Sequence, residues 1–320
     1  MPTDTIAQLE RFGPDGTDTM AEADARRWCT DLAVGHYENF SVLSRLVPND
    51  RRDDFAAVYA FCRWADDLGD ETGSPEDSSR LLDWWQQELD RCYEGSASHP
   101  VFVALSPTIE RFSIPRQPFS DLIAAFQQDQ TVTRYQTWDG VLDYCARSAD
   151  PVGRLVLMML DVESKGDLLA RSDDICTALQ LTNHWQDVRR DILDRDRIYL
   201  PTELFPIEDF ERRLRESARA GHAVDQTFLG EYRTGLKTCV ERTWTLFQRG
   251  EALLTQLDPE VRPLIWLFAA GGRHVLHQVE MWNFETCLHR PRLTKFVKAR
   301  ILLSARWKRR RARRAGGRST

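Results

Sequence analysis

Apolar residues recur at helical spacing along most of the chain, from about residue 20 to residue 307. No stretch alternates apolar and polar residues over the length of a strand, and no Asn-Gly pair joins two β-branched runs. A period near 3.6 residues predicts amphipathic helices, whereas a period of two would predict strands. We therefore predict an all-α protein with roughly ten helices.

Prolines divide this pattern, because proline disfavours helix in itself and in the residue before it. We expect breaks near Pro48, Pro75, Pro107, Pro115, Pro201 and Pro291. Residues 142–160 are otherwise helical in pattern, and we expect a kink there at Asp150-Pro151. Without a repeat or a linker, the pattern predicts one all-α domain over residues 21–307. A polar segment, residues 1–20, would precede it, and a basic, disordered segment, residues 308–320, would follow.

Charge is unevenly distributed along the 320 residues. The last twenty residues carry eight Lys and Arg and no acid, so a net charge of −6 leaves −14 for the rest. This predicts an anionic partner, either lipid or nucleic acid, for the basic segment alone. Nucleic-acid binding would rest on this segment alone, and the acidic body opposes it. A solvated segment without a partner is the alternative.

Neither a membrane span nor a secretion signal is evident in the sequence. The longest nearly apolar run, residues 261–272, is interrupted by Arg262, and residues 1–16 are polar. We expect a cytoplasmic protein that makes a peripheral contact with the inner membrane surface. The cysteines form no CxxC pair, which argues against a thiol-rich zinc site; they are Cys29, Cys62, Cys92, Cys145, Cys176, Cys239 and Cys287.

A first polar stripe lies in the segment YAFCRWADDLGDE, residues 59–71. Tyr59, Arg63, Asp66 and Asp70 have offsets of 0, 4, 7 and 11, so on a helix they share one face. Asp66 and Asp70 are one turn apart, where like charges repel unless a cation lies between them. Arg63 has two candidate partners, an i,i+3 ion pair with Asp66 and the oxygens of a bound phosphate.

A second polar stripe lies in the segment QLTNHWQDVRRD, residues 180–191. Gln180, Asn183, Asp187 and Asp191 have offsets of 0, 3, 7 and 11 and again share one helix face. Carboxylates are the oxygen ligands that Mg²⁺ prefers, and Mg²⁺ commonly carries substrate phosphates. One acidic pair at this spacing is usually a solvated helix face, but two aligned stripes favour metal-assisted departure of a diphosphate.

These two strings resemble those of the squalene/phytoene synthase family of prenyl-coupling enzymes. The family carries Tyr-x-x-x-Arg-x-x-Asp before its first acidic pair and Asn-x-x-x-Asp-x-x-x-Asp as its second, followed by Arg-x-Tyr-x-Pro. Here that last string is Arg197-Ile-Tyr199-Leu-Pro201. The resemblance covers about residues 25–300 and implies an isoprenoid-synthase-type helical bundle around one central cavity, acting on a prenyl diphosphate.

The resemblance also implies roles for individual residues. Mg²⁺ ligands are expected at Asp66, Asp70, Asp187 and Asp191, and diphosphate-binding side chains at His36, Asn39, Arg63 and Arg190. Catalytic roles are expected for Tyr59, Tyr144, Gln180 and Asn183. Alternatives stay open for several of these: core packing for the two tyrosines, a structural role for His36, and second-shell or merely exposed positions for Asp67 and Glu71.

Within the family, the strings HYENF (residues 36–40) and LTNHWQD (residues 181–187) are most similar to bacterial hydroxysqualene synthases of hopanoid biosynthesis. That resemblance implies that presqualene diphosphate is ionised, rearranged and captured by water. Gln186 stands where many condensing members have Arg, which favours a substrate with one diphosphate. Phe284 stands where the family often has Tyr, so any role of that hydroxyl is in doubt.

Two alternatives remain. One is head-to-head condensation of two prenyl diphosphates to presqualene diphosphate, squalene or phytoene. The other, from a different class, is a non-catalytic helical assembly partner. No GxGxxG fingerprint occurs, so we expect no bound dinucleotide.

Overall fold

The computed structural model describes residues 5–35, 46–163, 165–221 and 225–316. Within these ranges the protein is all-α: no strand is present, and one isolated bridge joins Arg134 to Ile198. Short 3-10 turns at Asn49–Arg51 and Thr202–Leu204 accompany the α-helices. The helices are α1 (Thr5–Phe12), α2 (Glu22–Gly35), α3 (Arg52–Asp70), α4 (Pro75–Tyr93), α5 (Pro100–Phe112), α6 (Gln117–Gln128), α7 (Trp138–Ser148), α8 (Asp150–Met159), α9 (Leu168–Asp194), α10 (Phe210–Ala220), α11 (Gln226–Gln256), α12 (Arg262–Met281) and α13 (Lys295–Gly316).

The predicted proline positions separate helices with one exception. Pro107 lies inside α5 rather than at its end. Interior proline costs about 3 kcal/mol, but Ala104, Leu105 and Thr108 around it are fully buried, and their packing holds the helix together. The expected kink at Asp150-Pro151 is instead a break, because α7 ends at Ser148 and α8 begins at Asp150.

Two further expectations differ from the structure at the chain ends. Within the segment expected to be merely polar, residues 5–12 form α1, whose Thr5 and Phe12 are buried. Helix α13 does not stop at Trp307 but continues to Gly316, so residues 308–316 are helical and the expectation of disorder is wrong there. The composition explains this, because Arg, Lys and Ala are strong helix formers.

The chain divides into two compact units. The first comprises residues 1–131 and 151–164, and the second comprises residues 132–150 and 165–320. The expected single domain over residues 21–307 stays a prediction. All seven cysteines are free thiols, five of them buried.

Aromatic side chains form the core of the first unit. Trp64 of α3 and Trp85 of α4 are fully buried and stack with ring centroids 5.5 Å apart. Phe61 packs against Trp85 and, edge to face, against Phe102 of α5. In this unit, much of the aromatic content therefore fills an ordinary helical core.

A buried carboxylate joins three helices of the same unit. Asp54, at the start of α3, is 1% exposed and accepts hydrogen bonds from Arg26 of α2 and from Thr108 and Arg111 of α5, at 2.8–2.9 Å. Ion pairing with two guanidinium groups offsets the cost of burying this charge. The network fixes the helix that carries the first acidic stripe.

In the second unit, α9 and α11 lie in close contact along their length. A Cβ atom at Gly250 of α11 would lie 2.5 Å from Ile175 Cγ1, so only glycine permits this approach. Trp185 of α9 donates to the Thr243 hydroxyl of α11 at 2.8 Å, and this hydrogen bond is buried. Helix α9, which carries the second acidic stripe, is thus firmly packed on one side.

Candidate active site

The first acidic stripe lies on the last three turns of α3, as the spacing predicted. Arg63 donates to Asp66 Oδ2 at 3.3 Å and through Nε to Asp67 Oδ2 at 3.1 Å. Asp66 and Asp70 are half-buried, with Asp66 43% exposed. The Arg63–Asp66 ion pair that we considered is therefore present, and it leaves much of the Asp66 carboxylate accessible to a cation.

Asp67 and Glu71 differ in their surroundings. Asp67 is buried, pairs with Arg63, and also accepts a 2.5 Å hydrogen bond from the Thr5 hydroxyl of α1. Glu71 is exposed at the C-terminal end of α3. Asp67 is thus a buried partner that fixes the position of Arg63. Glu71 is exposed, which was one of the two alternatives for it.

Tyr59 stands one turn before Arg63 on the same helix and is half-buried. Burial raises the pKa of its hydroxyl, with the Asp66 and Asp67 carboxylates adding to the shift and Arg63 opposing it. The hydroxyl therefore stays protonated and can serve as a hydrogen-bond donor close to the acidic stripe.

The second acidic stripe lies near the C-terminal end of α9. Asn183 and Arg190 are exposed, Gln180 and Asp187 are half-buried, and Asp191 is buried. The Arg190 guanidinium lies 3.8 Å from the Asp187 carboxylate. Burial within the stripe thus increases from the exposed Asn183 to the buried Asp191.

Asp187 has a partner that the sequence did not indicate. Arg290, from the segment between α12 and α13, donates through Nε to Oδ1 and through NH2 to Oδ2, the latter at 2.9 Å. Such a bidentate pair is among the stronger interactions of a carboxylate. Because Arg290 is 103 positions away along the chain, no local pattern could have paired the two.

Gln186 ties the same segment to α9. Its side chain is buried, and its amide donates to the backbone carbonyl of Pro291, the residue after Arg290. The residue that replaces the Arg of many condensing relatives thus lies beside the segment that supplies Arg290. A guanidinium is present next to Asp187 even though position 186 carries none.

Asp191 is a buried carboxyl group near the end of α9. Burial, and secondarily the neighbouring Asp187 carboxylate, raises its pKa to about 7, although Arg195, Arg190 and Arg197 oppose the shift. A carboxylate held in this way is stabilised by a bound cation. The physical chemistry of the pair therefore fits a divalent metal.

Tyr144 lies on α7 in a cluster of aromatic rings. It is buried, and its ring centroid lies 5.4–5.8 Å from those of Tyr135, His184 and Tyr199. His184 of α9 stacks on Tyr199 at 3.9 Å, and burial lowers its pKa to about 3. The Arg-x-Tyr-x-Pro string thus packs its tyrosine against the helix of the second acidic stripe.

The remaining predicted residues, His36 and Asn39, lie outside the described residues. Within the described part, no cluster of three or more His, Cys, Asp or Glu side chains is arranged to hold a metal.

Comparison with known proteins gives the family. Residues 33–297 match the family model described as squalene/phytoene synthase. The crystal structure of squalene synthase HpnC from Alicyclobacillus acidocaldarius is 38% identical, covers 82% of this chain and 95% of that one, and superposes with a TM-score of 0.70.

The chain belongs to the squalene/phytoene synthase family.

Two curated relatives carry different activities in their names. Hydroxysqualene synthase of Zymomonas mobilis is 38% identical over 175 residues, which is 53% of this chain and 57% of the relative. The chloroplastic phytoene synthase of Narcissus pseudonarcissus is 26% identical over 283 residues, 85% of this chain and 63% of the relative. The chain thus spans about three fifths of the length of each. A dehydrosqualene synthase structure, 21% identical with a TM-score of 0.72, shares the fold.

Proposed function

We propose that this enzyme converts presqualene diphosphate to hydroxysqualene, in hopanoid biosynthesis. The observation that carries the proposal is the contrast in identity: 38% over 175 residues with a hydroxysqualene synthase against 26% over 283 residues with a phytoene synthase. Gln186, in place of the Arg that many condensing members have, supports a substrate that carries a single diphosphate.

The two acidic stripes would hold Mg²⁺, with Asp66 and Asp70 on α3 and Asp187 and Asp191 on α9 as ligands. The raised pKa of Asp191 and the half-buried state of the other three carboxyl groups support this assignment. Bound Mg²⁺ would neutralise the diphosphate and make it a leaving group.

Three arginines would bind the oxygens of the diphosphate. Arg63 contacts Asp66, while Arg190 and Arg290 contact Asp187, so each lies beside a proposed ligand. A guanidinium binds two oxygens at once and stabilises the charge that develops on the leaving group. His36 and Asn39 remain predicted members of the same set.

The organic cation must then be stabilised and captured. We assign stabilisation of the cyclopropylcarbinyl cation to the aromatic faces of Tyr59 and Tyr144, which attract positive charge. Gln180 is half-buried on the polar stripe of α9 and would orient the water that attacks the rearranged cation, with Asn183 orienting a metal ligand. Water capture consumes no hydride, so the reaction needs no NADPH.

A second candidate is the condensation of two prenyl diphosphates. The match to squalene synthase HpnC favours it, because that protein is 38% identical over 82% of this chain. A non-catalytic assembly partner is disfavoured because both acidic pairs are intact. A protein that had lost its activity would have no need to keep them.

We also propose that the protein is cytoplasmic and contacts the inner membrane surface through its basic C-terminal segment. The ten Lys and Arg residues and the lack of any acid between residues 295 and 316 support this. Among the described helices, none combines the length and apolar content needed to cross a bilayer.

Product analysis tests the function. Purified enzyme is incubated with Mg²⁺ and either presqualene diphosphate or farnesyl diphosphate alone, with and without NADPH, and products are identified by gas chromatography and mass spectrometry. We expect hydroxysqualene from presqualene diphosphate in both NADPH conditions. Conversion of farnesyl diphosphate would favour the condensing alternative. Squalene formed only with NADPH would contradict the proposed hydroxysqualene synthase activity. Absence of diphosphate release would favour the non-catalytic assembly partner.

A further inference from the structure

Helix α13 has two opposite faces of different character. Ile301 and Ala305 are buried where the helix packs along α12. Phe296, Leu303 and Trp307 are 89%, 62% and 59% exposed. At 100° per residue these three lie within about 40° of one another and roughly opposite the buried pair. The outward face thus presents a stripe of large apolar side chains.

Arginines border this stripe on both sides. By the same helical spacing, Arg306 and Arg310 fall on one side, and Arg300 and Arg311 fall on the other. An apolar stripe flanked by cations is typical of helices that lie in the interface of an anionic bilayer, with apolar groups buried and cations among the headgroups. Nucleic acid would be bound by the cations but would leave the apolar stripe in water.

Pockets that suit an amphiphile open beside the same helix. One, of about 430 Å³, is lined by Leu254, Trp266 and Trp307 together with Lys308 and Arg311. The Lys308 ammonium lies 4.7 Å from the Trp266 ring centroid. A second, of about 590 Å³, combines Phe247, Trp266 and Ile301 with Arg273 and Arg300. Both combine cations with apolar surface, as a lipid with an anionic headgroup requires, although Arg273 in the second also pairs with Glu251.

We propose that α13 lies in the plane of an anionic phospholipid bilayer, with Phe296, Leu303 and Trp307 inserted between the lipids. This inference rests on the membrane contact proposed above. It adds that apolar side chains of α13, which precede most of the basic segment, contribute to membrane binding. The net charge of −14 over residues 1–300 repels an anionic surface, so the rest of the protein faces away from the bilayer.

The test compares a double variant, changed at two exposed positions of α13, with a control variant changed at an exposed position elsewhere. Phe296→Gln/Leu303→Gln removes the apolar groups and keeps every charge and a good helix former, while Val132→Gln removes an exposed aliphatic group elsewhere. Binding to phosphatidylglycerol-containing and pure phosphatidylcholine vesicles is measured by flotation at physiological and at high salt. We expect the double variant to bind the anionic vesicles about tenfold more weakly than wild type, and the control to bind as wild type.

Diphosphate release from presqualene diphosphate in detergent is measured on the same samples and should be equal in all three proteins. If wild type releases no diphosphate but still binds the vesicles, the proposed function is overturned, whereas the proposed role of α13 in membrane binding is not. Equal vesicle binding by wild type and double variant would overturn the face. So would self-association of wild type that the double variant abolishes, or preferential binding to a homopolymeric RNA.

Discussion

The four proposed metal ligands are expected to be individually indispensable. Asp66→Asn and Asp187→Asn each replace a charged ligand by a neutral amide of the same size, which binds Mg²⁺ poorly. We expect each to lose at least about 99% of diphosphate release, a range typical of lost electrostatic stabilisation. The exposed Asp194→Asn on α9 is the matched control and should retain wild-type activity. Near wild-type turnover in either site variant would contradict the metal assignment.

Asp191 should make the stability of the metal-free protein depend on pH. Its pKa is raised to about 7 from an ordinary value of 3.8, so between these pH values the folded state holds a proton that the unfolded state has released. Stability contributed by this group therefore falls as pH rises through that window and stays low above it.

Asp191→Asn removes this penalty. Urea denaturation in EDTA from pH 4 to pH 8 should show the variant gaining free energy of unfolding relative to wild type as pH rises, by no more than about 4 kcal/mol. A difference between the two proteins that does not change with pH would show that the Asp191 carboxyl is not held in a charge-disfavouring environment.

At the scale of helices, the contact between α9 and α11 depends on a missing side chain. Gly250→Ala should gain up to about 1 kcal/mol of helix propensity but lose more, roughly 1–3 kcal/mol, because its Cβ meets Ile175 at 2.5 Å and the Arg171 carbonyl at 3.1 Å. Gly230→Ala, on the same helix with open space around its Cβ, should instead raise stability. Thermal unfolding distinguishes the two, and equal shifts would contradict the packing argument.

The helical pattern predicted the class of fold and both polar stripes, because period and offset are local properties of the sequence. It did not predict α1, since a short polar segment gives little periodic signal, yet Thr5 of this helix contacts Asp67. It did not predict the persistence of α5 through Pro107, where tertiary packing outweighs propensity. Arg290 was missed for a related reason: its pairing with Asp187 is set by the fold and not by neighbouring residues.

At the scale of the whole molecule, the basic segment and the apolar face should contribute separately to membrane binding. Deleting residues 308–320 removes seven cations and keeps Phe296, Leu303 and Trp307. Catalysis in detergent should be intact, because every proposed site residue lies outside the deleted segment. Binding to anionic vesicles should weaken and become less dependent on salt, since exposed charges are screened beyond about 8 Å at physiological ionic strength.

Vesicle sedimentation at low and high salt checks this prediction. Unchanged, salt-sensitive binding by the truncated protein would show that the cations responsible lie elsewhere. A truncated protein that fails to fold would show that residues 308–316 are an integral part of the unit that contains α12, which circular dichroism would detect.

The proposed capture of water would separate this enzyme from its condensing relatives, and oxygen isotope labelling measures it directly. The enzyme is incubated with presqualene diphosphate and Mg²⁺ in ¹⁸O-enriched water, and the product is analysed by mass spectrometry. We predict an alcohol, hydroxysqualene, that carries one ¹⁸O atom from the solvent. A hydrocarbon product, or an alcohol without the label, would contradict the proposed reaction.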